Sequence, residues 1–322
     1  MHKIIIDTDP GIDDAQAIAF AIAHPEIKLV GLTTVFGNAQ VALTTRNALK
    51  ILEVFGQPDI PVAAGASQPL EQPRFPEPDF VHGSDGIGNL NLSPPNAIAS
   101  SISAAEFIVQ QASLAPGEIT VVAIGPLTNI ALALELDPQL PSKLKQLVVM
   151  GGTVDEPGNV TPLAEANFIN DPHAADRVLA HDWPCVIIGL DVTLKTLLTD
   201  GHLGQLRDHG SAMGKFLWDS SRFYIDFYTS RFTRTELAPT VPCCAMHDAS
   251  AVVYVVIPDA FELVGGPARV IEEGVATGQL AIDRKAEPYV LPHWDNRPTT
   301  YAAIGVKSDQ VVDVFLQTLL NY

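Results

Sequence analysis

The chain has 322 residues, 47% of them hydrophobic, which is enough material for a large buried core. Its formal net charge of −18 argues against nucleic acids and anionic membrane surfaces as partners. Three cysteines without a spaced framework, no signal-peptide pattern and no long uncharged apolar run favour a cytoplasmic protein without a membrane span. Because no Pro/Gly/Ser-rich linker interrupts the sequence, we expect residues 1–322 to form one domain.

Strand-like and helix-like segments alternate along most of the chain. This alternation favours an α/β fold with a mostly parallel, Rossmann-like central sheet flanked by helices. Gly-interrupted apolar runs near the end, over Phe261–Val290, predict a small antiparallel appendage to that sheet. The other predicted strands are Ile4–Ile6, Lys28–Val35, Ile60–Ala64, Ile119–Ile124, Gln146–Met150 and Cys185–Leu190. The predicted helices are Ala15–Ala23, Val41–Phe55, Ala104–Leu114, Ala174–Ala180, much of Leu203–Phe232, Ser250–Val256 and Gln310–Leu320.

Four acidic residues follow the first predicted strand within eight positions: Asp7, Asp9, Asp13 and Asp14. Two carboxylates about 4 Å apart repel by roughly 4 kcal/mol near a protein surface, whereas a helix N-terminus recovers only about 0.3–1 kcal/mol per charge. A hard cation with oxygen ligands, such as Ca²⁺ or Mg²⁺, would offset this repulsion. Ordinary capping of the following helix by aspartate is the alternative explanation.

Two other motifs compete for this stretch. An EF-hand loop begun at Asp7 would need glutamate at its twelfth position, where Ile18 stands, so that interpretation fails. A Mg²⁺-dependent phosphatase of the haloacid-dehalogenase type also begins with a strand and D-x-D, and Asp7 would be its nucleophile. Gly11 stands where that class carries threonine or valine, and the pair Asp13–Asp14 is left unexplained.

The stretch DTDPGIDD, residues 7–14, resembles the signature of the inosine-uridine preferring nucleoside hydrolases. Four further blocks downstream resemble motifs of the same family, so the resemblance covers nearly the whole chain. It implies the nucleoside hydrolase fold and hydrolysis of ribonucleosides to ribose and free base. The four blocks are HGSDG at 82–86, GPLTN at 125–129, GNVTPLAEANF at 158–168 and the pair His247–Asp248.

The resemblance also implies roles for individual residues. Asp9 would act as general base, and His247 would protonate the leaving base with help from His82. The ligands of a Ca²⁺ ion would be Asp9, Asp14, the carbonyl of Ile124 and Asp248. The residues that bind substrate would be Asp13, Asn38, Met150, Asn159, Glu165, Asn167, Tyr224 and Tyr228.

Taken without the resemblance, most of these residues have plain structural explanations. His82 fits a histidine of a surface loop, and Asp248 fits a helix cap. Tyr224 and Tyr228, spaced i,i+4 on one helix face, fit the core. Besides the phosphatase, a non-catalytic nucleoside- or ribose-binding protein therefore remains a second alternative to the nucleoside hydrolase.

The resemblance implies a nucleoside substrate and a homodimer or homotetramer, and a histidine at position 247 resembles members with broad or pyrimidine preference. We expect loops over Phe75–Asp85 and Tyr224–Thr240 to determine the preferred base. The segment Asp295–Pro298 receives no role from the sequence.

Overall fold

The computed structural model describes residues 1–232, 241–285 and 290–322. Its strands are β1 (His2–Thr8), β2 (Ile27–Thr34), β3 (Val62–Ala64), β4 (Ile119–Ala123), β5 (Gln146–Met150), β6 (Cys185–Ile188), β7 (Leu197–Thr199), β8 (Cys243–Ala245), β9 (Phe261–Val270), β10 (Leu280–Ile282) and β11 (Thr299–Val306). Its longer helices are α1 (Ile12–Ala23), α2 (Val41–Val54), α4 (Ala104–Leu114), α5 (Thr128–Leu136), α8 (Pro172–Leu179), α10 (Asp200–His209), α11 (Ala212–Phe232), α12 (His247–Tyr254) and α13 (Ser308–Leu320). Helical segments of four or five residues are α3 (Asp79–His82), α6 (Leu140–Lys143), α7 (Ala166–Asn170) and α9 (Leu190–Thr193).

Within the described ranges, nine strands form one sheet in the order β3-β2-β1-β4-β5-β6-β11-β9-β10. The pairs from β3 through β6 are parallel, as predicted, and β11, which was not predicted from the sequence, pairs parallel with β6. β9 pairs antiparallel with β11 and β10 antiparallel with β9, which confirms the antiparallel appendage within the described residues. β7 and β8 form a separate antiparallel pair that the sequence analysis did not predict.

Helices cover both faces of the sheet because its inner strands are apolar on both sides. Ile4 and Ile6 pack into one hydrophobic cluster with α1, α11 and α12, while Ile5 packs into a second cluster with α4 and α5. A strand buried on both faces reads as a continuous apolar run, and this explains why Ile4–Ile6 was recognisable from the sequence.

The strand order reverses at β1, whose neighbours are β2 on one side and β4 on the other. In open α/β sheets, a crevice forms at such a reversal, outside the carboxyl ends of the strands. The residues that follow β1, β4 and β5 therefore meet at one edge of the sheet, and all three connections carry predicted site residues.

Three boundaries differ from prediction for local reasons. The first helix begins at Ile12 rather than Ala15, so Asp13 and Asp14 belong to its first turn. The predicted strand Cys185–Leu190 ends at Ile188, and the short helix α9 starts at Leu190. The helix predicted from Leu203 begins at Asp200, because Thr199 caps its N-terminus, and it ends before Gly210, which has a left-handed φ of 89° and was predicted to interrupt this stretch.

Candidate functional site

Asp14 caps helix α1 and also lies in the cluster of acids, two roles that were predicted as alternatives. It is the third residue of α1, and its Oδ2 accepts a hydrogen bond from the backbone N–H of Gly11 at 2.7 Å. Thr8 Oγ1 donates to Oδ1 and Asn38 Nδ2 donates to Oδ2 at 3.1 Å. Capping therefore applies to Asp14. It does not explain the acids around it.

Asp13, Asp14 and Asp248 form a buried trio whose carboxylate oxygens lie within 4.8 Å of one another. Asp248 comes from the first turn of α12, which packs against α1 and so brings together distant parts of the sequence. Burial raises the pKa of Asp13 and of Asp14 to about 6. Burial and the charges of Asp13, Asp14 and Asp9 raise the pKa of Asp248 well above its ordinary value.

Asp9 lies beside this trio and outside the set of mutually close oxygens. The backbone N–H of Asn38 donates to Asp9 Oδ2 at 2.7 Å. Oδ1 of Asp9 and Oδ1 of Asp13 are buried without a hydrogen-bond partner among the described residues. Burial and the charge of Asp14 raise the pKa of Asp9. Across residues 1–232, 241–285 and 290–322, no lysine or arginine forms an ion pair with these acids. His82 Nδ1 lies 3.9 Å from Asp13 Oδ1, but burial lowers the pKa of His82 to about 4, so it carries no charge at neutral pH. The residues thus fit a bound cation, because two buried acceptors and a close carboxylate trio otherwise lack a counter-charge.

Asp7 does not belong to this cluster, so the prediction of a shared cation for all four acids was wrong for Asp7. Its side chain points with Ile5 toward the helix α5. There, Oδ1 accepts hydrogen bonds from Thr33 Oγ1 at 2.5 Å and from Asn129 Nδ2 at 2.8 Å. Asp7 is fully buried and does not line the pocket described below, so it is not placed as the nucleophile that a phosphatase would need.

A pocket with an empty volume of about 700 Å³, open mouth included, lies at the sheet reversal. Most predicted site residues line it, whereas Asp9 and Asp14 lie behind the lining. The predicted residues in the lining are Asp13, Asn38, His82, Ile124, Met150, Asn159, Glu165, Asn167, Tyr224, Tyr228, His247 and Asp248.

One side of the pocket is formed by polar groups that follow β4 and β5. Asn167 Nδ2 lies 3.0 Å from the carbonyl oxygens of both Ile124 and Met150. Oε2 of Glu165 accepts from the N–H groups of Gly152 and Asn167, each at 2.9 Å, and Glu165 thereby caps the short helix α7. Asn159 Oδ1 accepts from Ala166 at 3.0 Å. Burial raises the pKa of Glu165 to about 7. This side presents amide, carbonyl and carboxyl groups of the kind that bind sugar hydroxyls.

The other side of the pocket is aromatic. His82 stacks on Tyr224 with ring centroids 5.5 Å apart, and its Nδ1 accepts from the N–H of Ile12 at 3.3 Å. His82 is buried, so its interpretation as a surface-loop histidine was wrong. Burial lowers its pKa to about 4. Tyr224 and Tyr228 are core residues and pocket residues at once.

Two tyrosines of α11 lie between the acid trio and His247. Tyr224 Oη donates to Asp13 Oδ2 at 2.9 Å, and the rings of Tyr224 and Tyr228 meet edge to face with centroids 4.9 Å apart. Tyr228 Oη lies 2.5 Å from Nε2 of His247, and Thr193 Oγ1 lies 2.7 Å from Nδ1 of the same ring. Burial lowers the pKa of His247 to about 3.

Several residues at this pocket were not predicted individually, although Phe80, Phe227 and Arg231 lie in the segments Phe75–Asp85 and Tyr224–Thr240 that were predicted to determine the base. Phe80, 67% exposed, stands at its mouth near Phe227, with centroids 6.1 Å apart. Arg231 also lines the pocket and donates to the carbonyl oxygen of Asn159 at 3.0 Å. Phe227 and Arg231 were recognisable in principle, because they follow Tyr224 at helical spacing on the same face of α11. Thr193 carried no sequence signal. The part of the predicted specificity loop at 233–240 lies outside the described residues.

Comparison with known proteins identifies the family. The family model of the inosine-uridine preferring nucleoside hydrolases matches residues 4–313. This chain belongs to that family. It is 38% identical over 321 residues to a probable uridine nucleosidase 2 of Arabidopsis thaliana, covering 99% of this chain and 98% of the relative. It is 32% identical over 319 residues to a pyrimidine-specific ribonucleoside hydrolase RihA of Salmonella paratyphi B, with 99% and 98% coverage.

Solved structures of this nucleoside hydrolase family have the same fold. A plant nucleoside hydrolase, PpNRh1, superposes with a TM-score of 0.94 at 34% identity, covering 100% of this chain and 99% of that chain. A purine-preferring ribonucleoside hydrolase from Gardnerella vaginalis superposes with a TM-score of 0.90 at 33% identity, with 99% and 98% coverage. The nucleoside hydrolase described here is thus an N-ribohydrolase that cleaves the N-glycosidic bond of ribonucleosides. The family is metal-dependent, and the Asp13–Asp14–Asp248 trio is a suitable metal site. No helix in the described part of the chain is long and apolar enough to cross a membrane.

Proposed function

We propose that this enzyme is a Ca²⁺-dependent ribonucleoside hydrolase that accepts uridine and inosine. The buried acid trio facing a pocket with one polar side and one aromatic side is the single observation that carries the proposal. A ribonucleoside is divided in the same way: the hydroxyl groups of its sugar match the polar side, and its flat base matches the aromatic side.

Asp9, Asp14, Asp248 and the Ile124 carbonyl would hold the calcium ion, with Asp13 at the edge of the same cluster. Ca²⁺ takes six to eight oxygen ligands and tolerates irregular geometry, which suits a set of carboxylates and one backbone carbonyl. The Ile124 oxygen accepts from Asn167 and retains a second lone pair. When bound, the ion would supply positive charge that makes a nearby water more acidic and orients the ribose diol.

Asp9 is the general base in this proposal. Its Oδ1 is a buried acceptor without a hydrogen-bond donor among the described residues, so it is available to take a proton from the attacking water. Its Oδ2 is fixed by the N–H of Asn38, which holds the carboxylate in one orientation. A base positioned in this way contributes typically about 10²–10⁴-fold to the rate.

Asn38, Asn159, Glu165, Asn167 and Met150 would bind the ribose from the polar side. Cleavage of the N-glycosidic bond builds positive charge on the sugar, as in other glycoside hydrolyses. The carboxylates of Asp13 and Glu165, both in the pocket lining, would stabilise this charge electrostatically.

His247 and Tyr228 would protonate the departing base; their hydrogen-bonded side chains, which both line the aromatic side, support this role. His82 and Tyr224 would stack near the base. Two relatives with names that specify uridine or pyrimidine nucleosides support uridine as a substrate. The aromatic side presents π-faces that accept purines as well, which supports inosine.

The test is release of reducing sugar from inosine, adenosine, guanosine, uridine and cytidine. Each assay is run with native enzyme, after EDTA, and after refilling with Ca²⁺ or Mg²⁺. We expect turnover of uridine and inosine, loss with EDTA, and recovery with Ca²⁺. Full activity in EDTA would refute the metal proposal. Recovery with Mg²⁺ alone would refute calcium as the ion, and phosphate release from a phosphomonoester without sugar release would refute the hydrolase proposal.

A further inference from the structure

Asn47 lies behind the pocket, on the helix α2, and belongs to none of the motifs that indicated the site. It is buried and does not line the pocket. Its Nδ2 lies 2.9 Å from the carbonyl oxygen of Asp85 and 3.3 Å from the carbonyl oxygen of Pro10. A carbonyl oxygen only accepts, so both hydrogen bonds are donated by the amide nitrogen, which carries two hydrogens. One side chain thus joins two loops of the site that are distant in the sequence.

The first of these loops, the acid loop at residues 9–11, is held in place without Asn47. It directly connects β1, which is paired on both sides in the sheet, with the helix α1. The N–H of Gly11 also donates to Oδ2 of Asp14 at 2.7 Å. The acid loop is therefore the fixed side of the contact.

The second loop, the His82 loop at residues 82–91, is rigid within itself. The carboxylate of Asp85 accepts from three backbone N–H groups of the same loop at 2.8 to 2.9 Å. The N–H of Gly88 donates to the carbonyl oxygen of His82 at 2.8 Å. Among the described residues, Asn47 is the only side chain from another part of the chain that hydrogen-bonds the backbone of this loop. Because the loop holds its own shape, a bond at Asp85 also fixes the position of His82.

The opposite side of the His82 loop packs closely against α11. Gly88 has a φ of +80°, and a Cβ atom built on it would lie 2.6 Å from the carbonyl oxygen of Ser220. His82 stacks on Tyr224 of the same helix, with ring centroids 5.5 Å apart. The loop has no room to move toward α11. Loss of the bond from Asn47 would therefore let it move away from this helix, which separates the ring of His82 from that of Tyr224.

We propose that Asn47 is a positioning residue that holds the His82 loop on the acid loop and so keeps the imidazole of His82 against Tyr224 in the pocket. This inference rests on the proposed function, in which His82 and Tyr224 would stack near the base. Asn47 then shapes the base side of the pocket through His82. The sugar side and the acid trio do not depend on it.

The main variant is Asn47→Leu, which keeps the approximate size of the side chain and removes both hydrogen-bond donors. Asn47→Ala repeats the test with a smaller side chain, and Leu52→Ala, a change in the buried core on the same helix, is the matched control for lost stability. We expect Asn47→Leu to raise the KM for uridine and inosine by about 2- to 12-fold, the factor that one aromatic contact typically contributes. Inhibition by free D-ribose and the calcium-induced rise in Tm should change little.

A double-mutant cycle with His82→Ala tests whether Asn47 acts through His82. Changes at two residues that act through one contact are not additive in free energy. We expect Asn47→Leu to have no further effect on kcat/KM for uridine once His82 is alanine. Two effects that simply multiply, or an equal rise in KM in Leu52→Ala, would overturn the inference. Loss of the calcium-induced rise in Tm in the Asn47 variants would overturn it as well, because the acid loop would then be the part that moves.

Modification of His82 by diethyl pyrocarbonate, measured by mass spectrometry of its peptide, reports the position of the loop without turnover. The side chain is 6% exposed, so we expect slow modification in the native protein and in Leu52→Ala, and faster modification in both Asn47 variants. An unchanged rate in both Asn47 variants would overturn the inference. A native enzyme that released no ribose from any nucleoside would refute the proposed function, and the modification rates would still decide whether Asn47 positions the loop.

Discussion

Replacement of Asp248 by asparagine tests whether the acid trio is a cation site. The substitution keeps the shape of the side chain and removes one charge from a cluster whose oxygens lie within 4.8 Å of one another. Two carboxylates about 4 Å apart repel by roughly 4 kcal/mol at an effective dielectric constant of 20. Without metal, Asp248→Asn should therefore be at least as stable as the native protein, and more stable by up to about 4 kcal/mol.

Calcium should stabilise the native protein more than it stabilises the Asp248→Asn variant. A ligand at 1,000 times its Kd stabilises the folded state by about 4.1 kcal/mol. With an unfolding entropy of about 2.1 cal/mol/K per residue over 322 residues, this corresponds to a rise in Tm of about 6 °C. Asp248→Asn should lose most of this rise, because it removes a ligand from the site.

The assay is thermal unfolding at pH 7.5 in EDTA and in excess Ca²⁺. Asp176→Asn is the matched control: Asp176 is a buried acid that pairs with Arg269 and Arg297, away from the pocket. Loss of that pairing should lower Tm, with the calcium-induced rise retained. A native Tm that responds to neither Ca²⁺ nor Mg²⁺, or an Asp248→Asn variant that keeps the full response, would refute the reasoning.

Three other predictions concern the reaction and the buried acids. Asp9→Asn should lower kcat for uridine by about 10²–10⁴-fold, the usual contribution of a general base, and a rate above one-tenth of native would contradict that role. His247→Ala should reduce turnover of inosine and of uridine by different factors, because the two bases need protonation at different atoms. Unchanged rates on both would remove His247 as the acid. In EDTA, the free energy of unfolding should fall as the pH rises from about 6.5 to 8. Burial raises the pKa of Asp7 and of Glu165 to about 7, so their protons stabilise the folded state at low pH and are lost in this window. A urea midpoint that rises with pH over this range would be inconsistent with these pKa values.

The sheet and the acid stretch were predictable because their signals are local. Ile4–Ile6 is apolar on both faces of a parallel sheet and therefore reads as a continuous run. Four acids within eight residues cannot all cap the following helix, and this alone indicated a site with concentrated negative charge. The sequence also determined that Asp13 and Asp14 would be neighbours, whatever the tertiary structure.

Which acids share the site depended on the tertiary structure. Asp7 and Asp9 are two positions apart, yet Asp7 points to Asn129 on the far face and Asp9 lies beside the trio. Asp248 reaches Asp14 only because α12 packs on α1, a contact between the two ends of the chain. No local pattern specifies such a contact, since it follows from the order of strands in the sheet.

The side chains that contact His247 and Asp13 were also determined by packing alone. Thr193 meets His247 across 54 positions of sequence, and Tyr224 meets Asp13 across 211. Nothing in the local sequence distinguishes a helical threonine or tyrosine of the core from one that contacts a residue of the site. The sequence by itself therefore indicated a cation site through its concentrated acids, and its motifs indicated the class of chemistry. The fold decided which oxygens converge and which hydroxyls contact His247, because those distances exist only after distant helices pack together.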